Sequence, residues 1–232
     1  DTINRENNLG WREHISATNP CGEQPLLPYE ACNLGSLNLA AFCDSRATGP
    51  ADQAVDWEGL TQAVEHAVRF LDNVVEANRY PTPEIDEATR ATRKIGLGVM
   101  GFADLLFKLG IPYDSDESLQ LADQIGSVIR EAGWEASERL AETRGCFPAW
   151  KGSIWDTEIG GRPMRNAHVV TIAPTGTMQS SVPAVWKSVD AGQSYRDGLQ
   201  SLKPGPRLGY VPADKLRVPM LHGGKEPDPA LL

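Results

Sequence analysis

Between Asp114 and Gly145 the chain carries one long helical stripe, and a stripe of that kind dictates that something else must cover it. Leu121, Ile125, Val128, Ile129, Ala132, Ala136 and Leu140 recur at three- and four-residue spacing, which places them on one face of a helix. Asp114 and Glu117 read as a capping-box pair at its start, and Gly145 as its stop. A helix with one apolar face is stable only when packed on another layer. A second stripe is available: Leu60, Val64, Ala67, Val68, Leu71, Val74 and Val75 follow a cap at Asp56 and run until Pro81 and Pro83.

A third helix is predicted over 95–109, carried by Ile95, Leu97, Val99, Met100, Phe102, Leu105, Leu106 and Leu109, with Gly110 as its stop. Gly96, Gly98 and Gly101 sit awkwardly in it, since each glycine inside a helix costs about 1 kcal/mol relative to alanine. They predict close backbone approach, or a loop that enters the helix near Gly101. The same residues match a Gly-x-Gly-x-x-Gly dinucleotide fingerprint, but that motif needs a preceding strand, and Arg93-Lys94 stands where such a strand should end. A strand is predicted at His168-Val169-Val170-Thr171-Ile172. It runs into Ala173-Pro174-Thr175-Gly176-Thr177, a turn whose freed N–H groups and two hydroxyls could cradle an anion.

The 232 residues are 41% apolar, ordinary for a globular core, and hold 22 basic against 31 acidic side chains, a net charge of −9. That balance argues against a nucleic-acid-coating surface. No apolar run approaches the roughly 20 residues of a membrane span, and the N-terminus has no signal-peptide pattern, so a cytoplasmic protein is expected. Cys21, Cys32, Cys43 and Cys146 are expected to be thiols in a reducing compartment. None forms a close Cys-x-x-Cys pair and no histidine stands near enough to complete a zinc site, so no metal is expected.

Residues 12–44 are rich in Asn, Pro, Gly and Ser, the composition of a catalytic loop leading into a short element. Within them Asn19-Pro20-Cys21-Gly22-Glu23-Gln24-Pro25-Leu26 brings a thiol, a carboxylate and a carboxamide together, and Glu30-Ala31-Cys32-Asn33-Leu34-Gly35-Ser36-Leu37-Asn38-Leu39 adds a second thiol. These two blocks resemble the active-site segment of ribonucleotide reductases, most closely the adenosylcobalamin-dependent class II branch. The resemblance continues through Arg93–Leu106 and Arg144–Pro148 to Thr177.

The resemblance implies an α/β fold, the second half of a ten-stranded α/β barrel with a central cysteine loop. It implies a partial catalytic barrel over 1–177, with an upstream portion missing and an unrecognised, poorly packed tail over 178–232 in which a frameshift, an insertion in the gene or a mistaken gene end is expected. It also implies reduction of ribonucleotides to deoxyribonucleotides in the full-length enzyme. Cys21 would become the thiyl radical with adenosylcobalamin as its source, Glu23 the general base for the 3′-OH, and Asn19 a ribose-orienting amide. Cys32 would be one of two reducing thiols, reset by thioredoxin or a similar dithiol donor, and its partner cysteine lies outside this chain. Ala173, Pro174, Thr175, Gly176 and Thr177 would hold the substrate phosphates, and nucleotide effectors would act on the full-length enzyme. Cys43 and Cys146 are read as small buried hydrophobes. Two alternatives stand beside this reading: a class I large subunit fed by a partner radical subunit, and a non-catalytic truncated remnant.

Overall fold

The computed structural model describes residues 2–43 and 51–175. The predicted tail over 178–232 lies outside the described residues. Element order runs α1 (Thr2–Arg5), β1 (Ala17–Thr18), β2 (Pro25–Leu26), β3 (Asn33–Asn38), two 3-10 turns (Leu39–Phe42 and Ala51–Ala54), α2 (Trp57–Ala77), α3 (Pro83–Thr92), β4 (Ile95–Met100), α4 (Phe102–Leu109), α5 (Asp116–Arg144) and α6 (Ile154–Thr157).

Two helical crossovers link three parallel extended segments. β3 pairs with β4 in parallel, from Asn33 opposite Ile95 to Asn38 opposite Met100. The predicted strand at 168–172 lies along the other edge of β4: Ile95 N donates to His168 O at 3.0 Å, Leu97 N to Val169 O at 2.8 Å and Thr171 N to Leu97 O at 2.9 Å. Its regular pairing is confined to one parallel bridge, Leu97 to Val170. Helices α2 and α3 connect the first two segments, and α4 and α5 connect the second pair. The resulting β-α-β-α-β order is that of an α/β unit. Among the described residues the sheet does not close into a barrel.

The two long stripes find each other. α2 packs against α5 and against both β3 and β4, and Leu60, Val64, Val68, Val75, Ile95 and Leu97 are all within 1% of complete burial. Gly133 is what lets α5 come this close, because a Cβ there would lie 3.1 Å from Val169 Cγ1 and 3.5 Å from Val170 Cγ2. No described helix is long and apolar enough to cross a membrane.

Three expectations are corrected. The helix over 95–109 is a strand, Ile95–Met100, followed by Gly101 in the left-handed region (φ 71°) and then helix α4 from Phe102. Gly96 and Gly98 therefore lie inside the strand, so the first two glycines of the dinucleotide fingerprint do not form a strand-to-helix phosphate turn. The cap of α5 is Ser115, whose side chain accepts from Ser118 N, in place of the Asp114/Glu117 box. Pro83 starts a helix rather than ending one: it is the first residue of α3, behind Thr82, whose side chain accepts from Ile85 N, in keeping with proline's fixed φ and missing N–H. Asp56 caps α2 as expected, accepting from Gly59 N at 2.9 Å.

Candidate active site

Cys21 sits at the tip of a hairpin. β1 and β2 pair antiparallel, Ala17 with Leu26 and Thr18 with Pro25, and the loop between them is closed by Asn19 N to Gln24 O at 3.2 Å and Gly22 N to Asn19 O at 3.0 Å. Gly22 has φ 81°, a conformation glycine adopts without strain. The Asn19 side chain joins in, its Oδ1 accepting from Gln24 N at 2.9 Å, while its Nδ2 finds no acceptor among the described residues. Asn19 thus shapes the turn with one end of its amide and leaves the donor end unpaired among the described residues.

The hairpin lies on the sheet through glycine-made space. On β4, Ile95 and Leu97 face the helices, so Gly96 and Gly98 face the other way. A Cβ at Gly96 would meet Thr171 Cγ2 at 2.5 Å, Leu34 Cδ2 at 2.6 Å and Gln24 Oε1 at 3.2 Å. At Gly98 it would meet the Thr171 carbonyl oxygen at 2.2 Å. The predicted close approach is real, and it seats Gln24, which is fully buried, beneath the cysteine loop.

Thr171 then fastens the loop to the third extended segment, its Oγ1 donating to the Glu23 carbonyl at 2.5 Å. Lys94, directly before β4, donates to the Pro25 carbonyl at 3.2 Å and to Glu30 Oε2 at 2.8 Å. The same Glu30 oxygen accepts from Leu27 N at 2.6 Å, and Thr89 Oγ1 accepts from Ala31 N at 3.0 Å. Cys32 follows at once, one residue ahead of β3.

The environment separates the two thiols. Cys21 is exposed, whereas Cys32 is half-buried. The Cys32 thiol is pushed up from its ordinary pKa, first by burial and then by the negative charge of Glu23, so Cys32 stays protonated at neutral pH. That coupling puts Glu23 within electrostatic reach of Cys32. Glu23 Oε2 is buried and has no hydrogen-bond partner among the described residues. His168, on the third segment, is lowered to about 4 by burial and then by the Lys94 cation, and is neutral at physiological pH.

The structure therefore brings Asn19, Cys21 and Glu23 onto one loop, puts Cys32 within electrostatic reach of Glu23, and ties the loop to the segment leading into Ala173-Pro174-Thr175. Ala173 is buried, Pro174 exposed, and Thr175 has a left-handed φ of 55°. Pro174 and Thr175 line a 410 Å³ cleft with Met100, Gly101 and Phe102 at the start of α4. Gly176 and Thr177 lie outside the described residues. Cys43 is packed half-buried against the core and Cys146 is half-buried beyond α5. No cluster of three or more His, Cys, Asp or Glu able to hold a metal occurs among the described residues. Reading the sequence did not single out Thr171, Lys94, Glu30 or Gln24 as site residues. Lys94 carried a faint signal, as a lysine heading an apolar strand-like run.

Residues 1–191 match the family described as ribonucleotide reductase, barrel domain. The chain belongs to that family. It is 55% identical over 178 residues to a protein of Mycobacterium tuberculosis (strain ATCC 25618 / H37Rv) named vitamin B12-dependent ribonucleoside-diphosphate reductase, covering 77% of this chain and 24% of that protein. It is 51% identical over 178 residues to the protein of that name from Thermoplasma acidophilum, covering 77% of this chain and 22% of the relative. A ribonucleoside-diphosphate reductase subunit alpha of Chlamydia muridarum is 46% identical over 125 residues, covering 54% of this chain and 11% of that protein. The chain thus spans about a quarter of the length of the vitamin B12-dependent relatives it matches.

Proposed function

We propose that this chain supplies the cysteine-loop half of a barrel that reduces ribonucleoside diphosphates to 2′-deoxyribonucleoside diphosphates, with a cobalamin cofactor and a dithiol donor of the thioredoxin kind. The observation that carries the proposal is one hairpin holding an exposed thiol two residues from a carboxylate whose buried oxygen lacks a partner among the described residues, within electrostatic reach of a second thiol kept protonated. Its 55% identity to a reductase named vitamin B12-dependent supports the choice of cofactor.

The loop suits a bulky partner, since Pro20, Cys21 and Gly22 are all exposed and a Cβ at Gly22 would touch nothing within 4 Å. This Pro20–Gly22 face is the part of the described chain that would meet adenosylcobalamin. When bound, that cofactor supplies the carbon radical that removes the hydrogen atom of the Cys21 thiol. The Cys21 thiyl takes the C3′ hydrogen of the ribose, and Glu23 accepts the 3′-OH proton as the C2′–OH bond breaks and water leaves. Asn19 Nδ2 donates to the ribose and fixes it over the thiol. Cys32 and a second thiol supply two electrons and two protons and become a disulfide, so each turnover converts one ribonucleotide and one dithiol into one deoxyribonucleotide, one water and one disulfide. The Ala173–Thr177 turn holds the phosphates.

The test uses a full-length vitamin B12-dependent reductase in which residues 2–175 replace its own segment. Cys21→Ser should abolish product, because an O–H bond is too strong to relay the radical. Cys32→Ser should stop multiple turnovers while hydrogen abstraction at the ribose continues. Turnover by Cys21→Ser would sink the assignment.

A further inference from the structure

One ammonium group spans the whole connection between the two thiols. Lys94 Nζ contacts the carbonyl of Pro25, the first residue of β2 and four past Cys21, and the carboxylate of Glu30, two residues before Cys32. Its side chain is 3% exposed and that of Glu30 1%. Glu30 in turn holds Leu27 N through the same oxygen at 2.6 Å, and the Glu30 N–H donates to the Leu27 carbonyl at 3.2 Å. Segment 25–31 is thus folded around a single buried ion pair, with Thr89 as a further anchor at Ala31 N. Lys94 itself is fixed in the sheet: continuing the β3–β4 register one residue back sets it opposite Cys32.

Stability is a poor reason for such a pair. Desolvating both charges offsets most of their attraction, and an apolar pair of similar volume commonly does as well or better. Here the Glu30 Oε1 atom is buried without a partner among the described residues, a further unrecovered cost. What the pair provides that an apolar contact lacks is direction, since one carboxylate oxygen simultaneously fixes a lysine and a backbone N–H.

We propose that Lys94 and Glu30 form a positioning pair that sets the placement of Cys32 relative to the Cys21–Glu23 hairpin. This rests on the reading of Cys21 and Cys32 as the two reaction thiols. Both must reach the same ribose in turn, and displacement of a reacting group by about 1 Å costs up to about a hundredfold in rate. Neither residue touches the substrate; they act through the loop.

Glu30→Asp decides the matter, because it keeps the charge but is one methylene too short to hold Lys94 and Leu27 N together. In the full-length reductase carrying residues 2–175, it should lower kcat about tenfold with KM within about twofold of wild type. In the 232-residue chain it should speed alkylation of Cys32 by iodoacetamide several-fold relative to Cys146, read by peptide mass spectrometry. The double variant Lys94→Met/Glu30→Met, which removes both charges, should show the same two effects without unfolding at lower urea than wild type. Either an unchanged kcat or an unchanged Cys32:Cys146 alkylation ratio in Glu30→Asp overturns the positioning role. If the wild-type hybrid fails to reduce nucleotides, the proposed function has failed, and the alkylation ratio still decides the pair.

Discussion

Gly98→Ala should be among the most damaging single-methyl additions in the chain. A Cβ there would lie 2.2 Å from the backbone oxygen of Thr171, whereas ordinary contact begins near 3.4 Å. The 168–171 segment would have to retreat from β4 by about 1.2 Å. That displacement takes Thr171 N to Leu97 O (2.9 Å) and Leu97 N to Val169 O (2.8 Å) beyond hydrogen-bonding range. Two backbone bonds at about 1 kcal/mol each and about 1–3 kcal/mol of overpacking give a loss of roughly 3–5 kcal/mol. The retreat also carries away the Thr171 hydroxyl that holds the Glu23 carbonyl. Gly126→Ala supplies the internal contrast: it lies within α5, and its Cβ would meet nothing within 4 Å. Removing a helical glycine there should stabilise by about 0.5–1 kcal/mol. Urea unfolding of the two variants and wild type, followed by circular dichroism, checks both signs. A Gly98→Ala chain within about 1 kcal/mol of wild type would show that the close approach is not a constraint, and the reasoning from it would fall.

Asp72→Ala should destabilise by about 3 kcal/mol in the same assay, because it leaves the buried Arg93 guanidinium with only the Glu76 carboxylate and strips Arg144, Arg165 and Asn166 of their shared acceptor; a change under about 1 kcal/mol would contradict this. His168 predicts a pH dependence. Its folded pKa of about 4 lies below the unfolded value near 6.5, so the unfolded chain takes the proton first and stability is complete above about pH 6.5. It should fall as pH drops towards 4, by about 3 kcal/mol in all. His168→Gln should flatten the slope between pH 6.5 and 5, where few carboxylates titrate, and equal slopes for both proteins would refute the burial of a neutral imidazole.

The helices and the two thiol blocks were legible because their information is local. Asp56, the α2 stripe and the α5 stripe each lie within one element. β4 was misread because Ile95, Val99, Phe102 and Leu106 satisfy a helical period while Ile95, Leu97 and Val99 satisfy a strand period equally well. The tie is broken by Gly96 and Gly98, which alternate with the apolar residues as the second face of a strand, a face that carries no side chain because the cysteine loop lies on it. Pro83 was misread because proline both ends a helix and begins one, and Thr82 in front of it was the deciding signal. The rest of the site was illegible for a different reason. Lys94 meets Glu30 across 64 positions, and Thr171 meets Glu23 across 148, so no window of sequence contains both partners.

The buried charges divide by place in the fold, and the division separates stability from reactivity. Asp72, Arg93, Arg165 and Asn166 gather just ahead of β4 and of the 168–171 segment, where the carboxylate of Asp72 accepts from Arg93 at 2.7 Å, Asn166 at 3.0 Å and Arg144 at 3.0 Å. Asn166 Nδ2 also reaches the Arg93 carbonyl at 3.0 Å, which locks the entries to the two neighbouring segments together. Every ion there has a partner, and no thiol is within the network. Lys94 and Glu30 stand one residue further on, where the chain turns from that anchored base into the cysteine loop. Beyond them unpaired groups occur: the Gln24 side-chain amide, Glu23 Oε2 and Ser36 Oγ are buried without partners among the described residues. Buried polar atoms around the cysteine loop that lack a partner among the described residues are ones a bound molecule would satisfy. This predicts that Asp72→Ala lowers the unfolding midpoint while the Cys32:Cys146 alkylation ratio of the folded fraction stays at its wild-type value, and that the double variant Lys94→Met/Glu30→Met does the reverse. The reasoning fails if both variants move the two measurements in parallel.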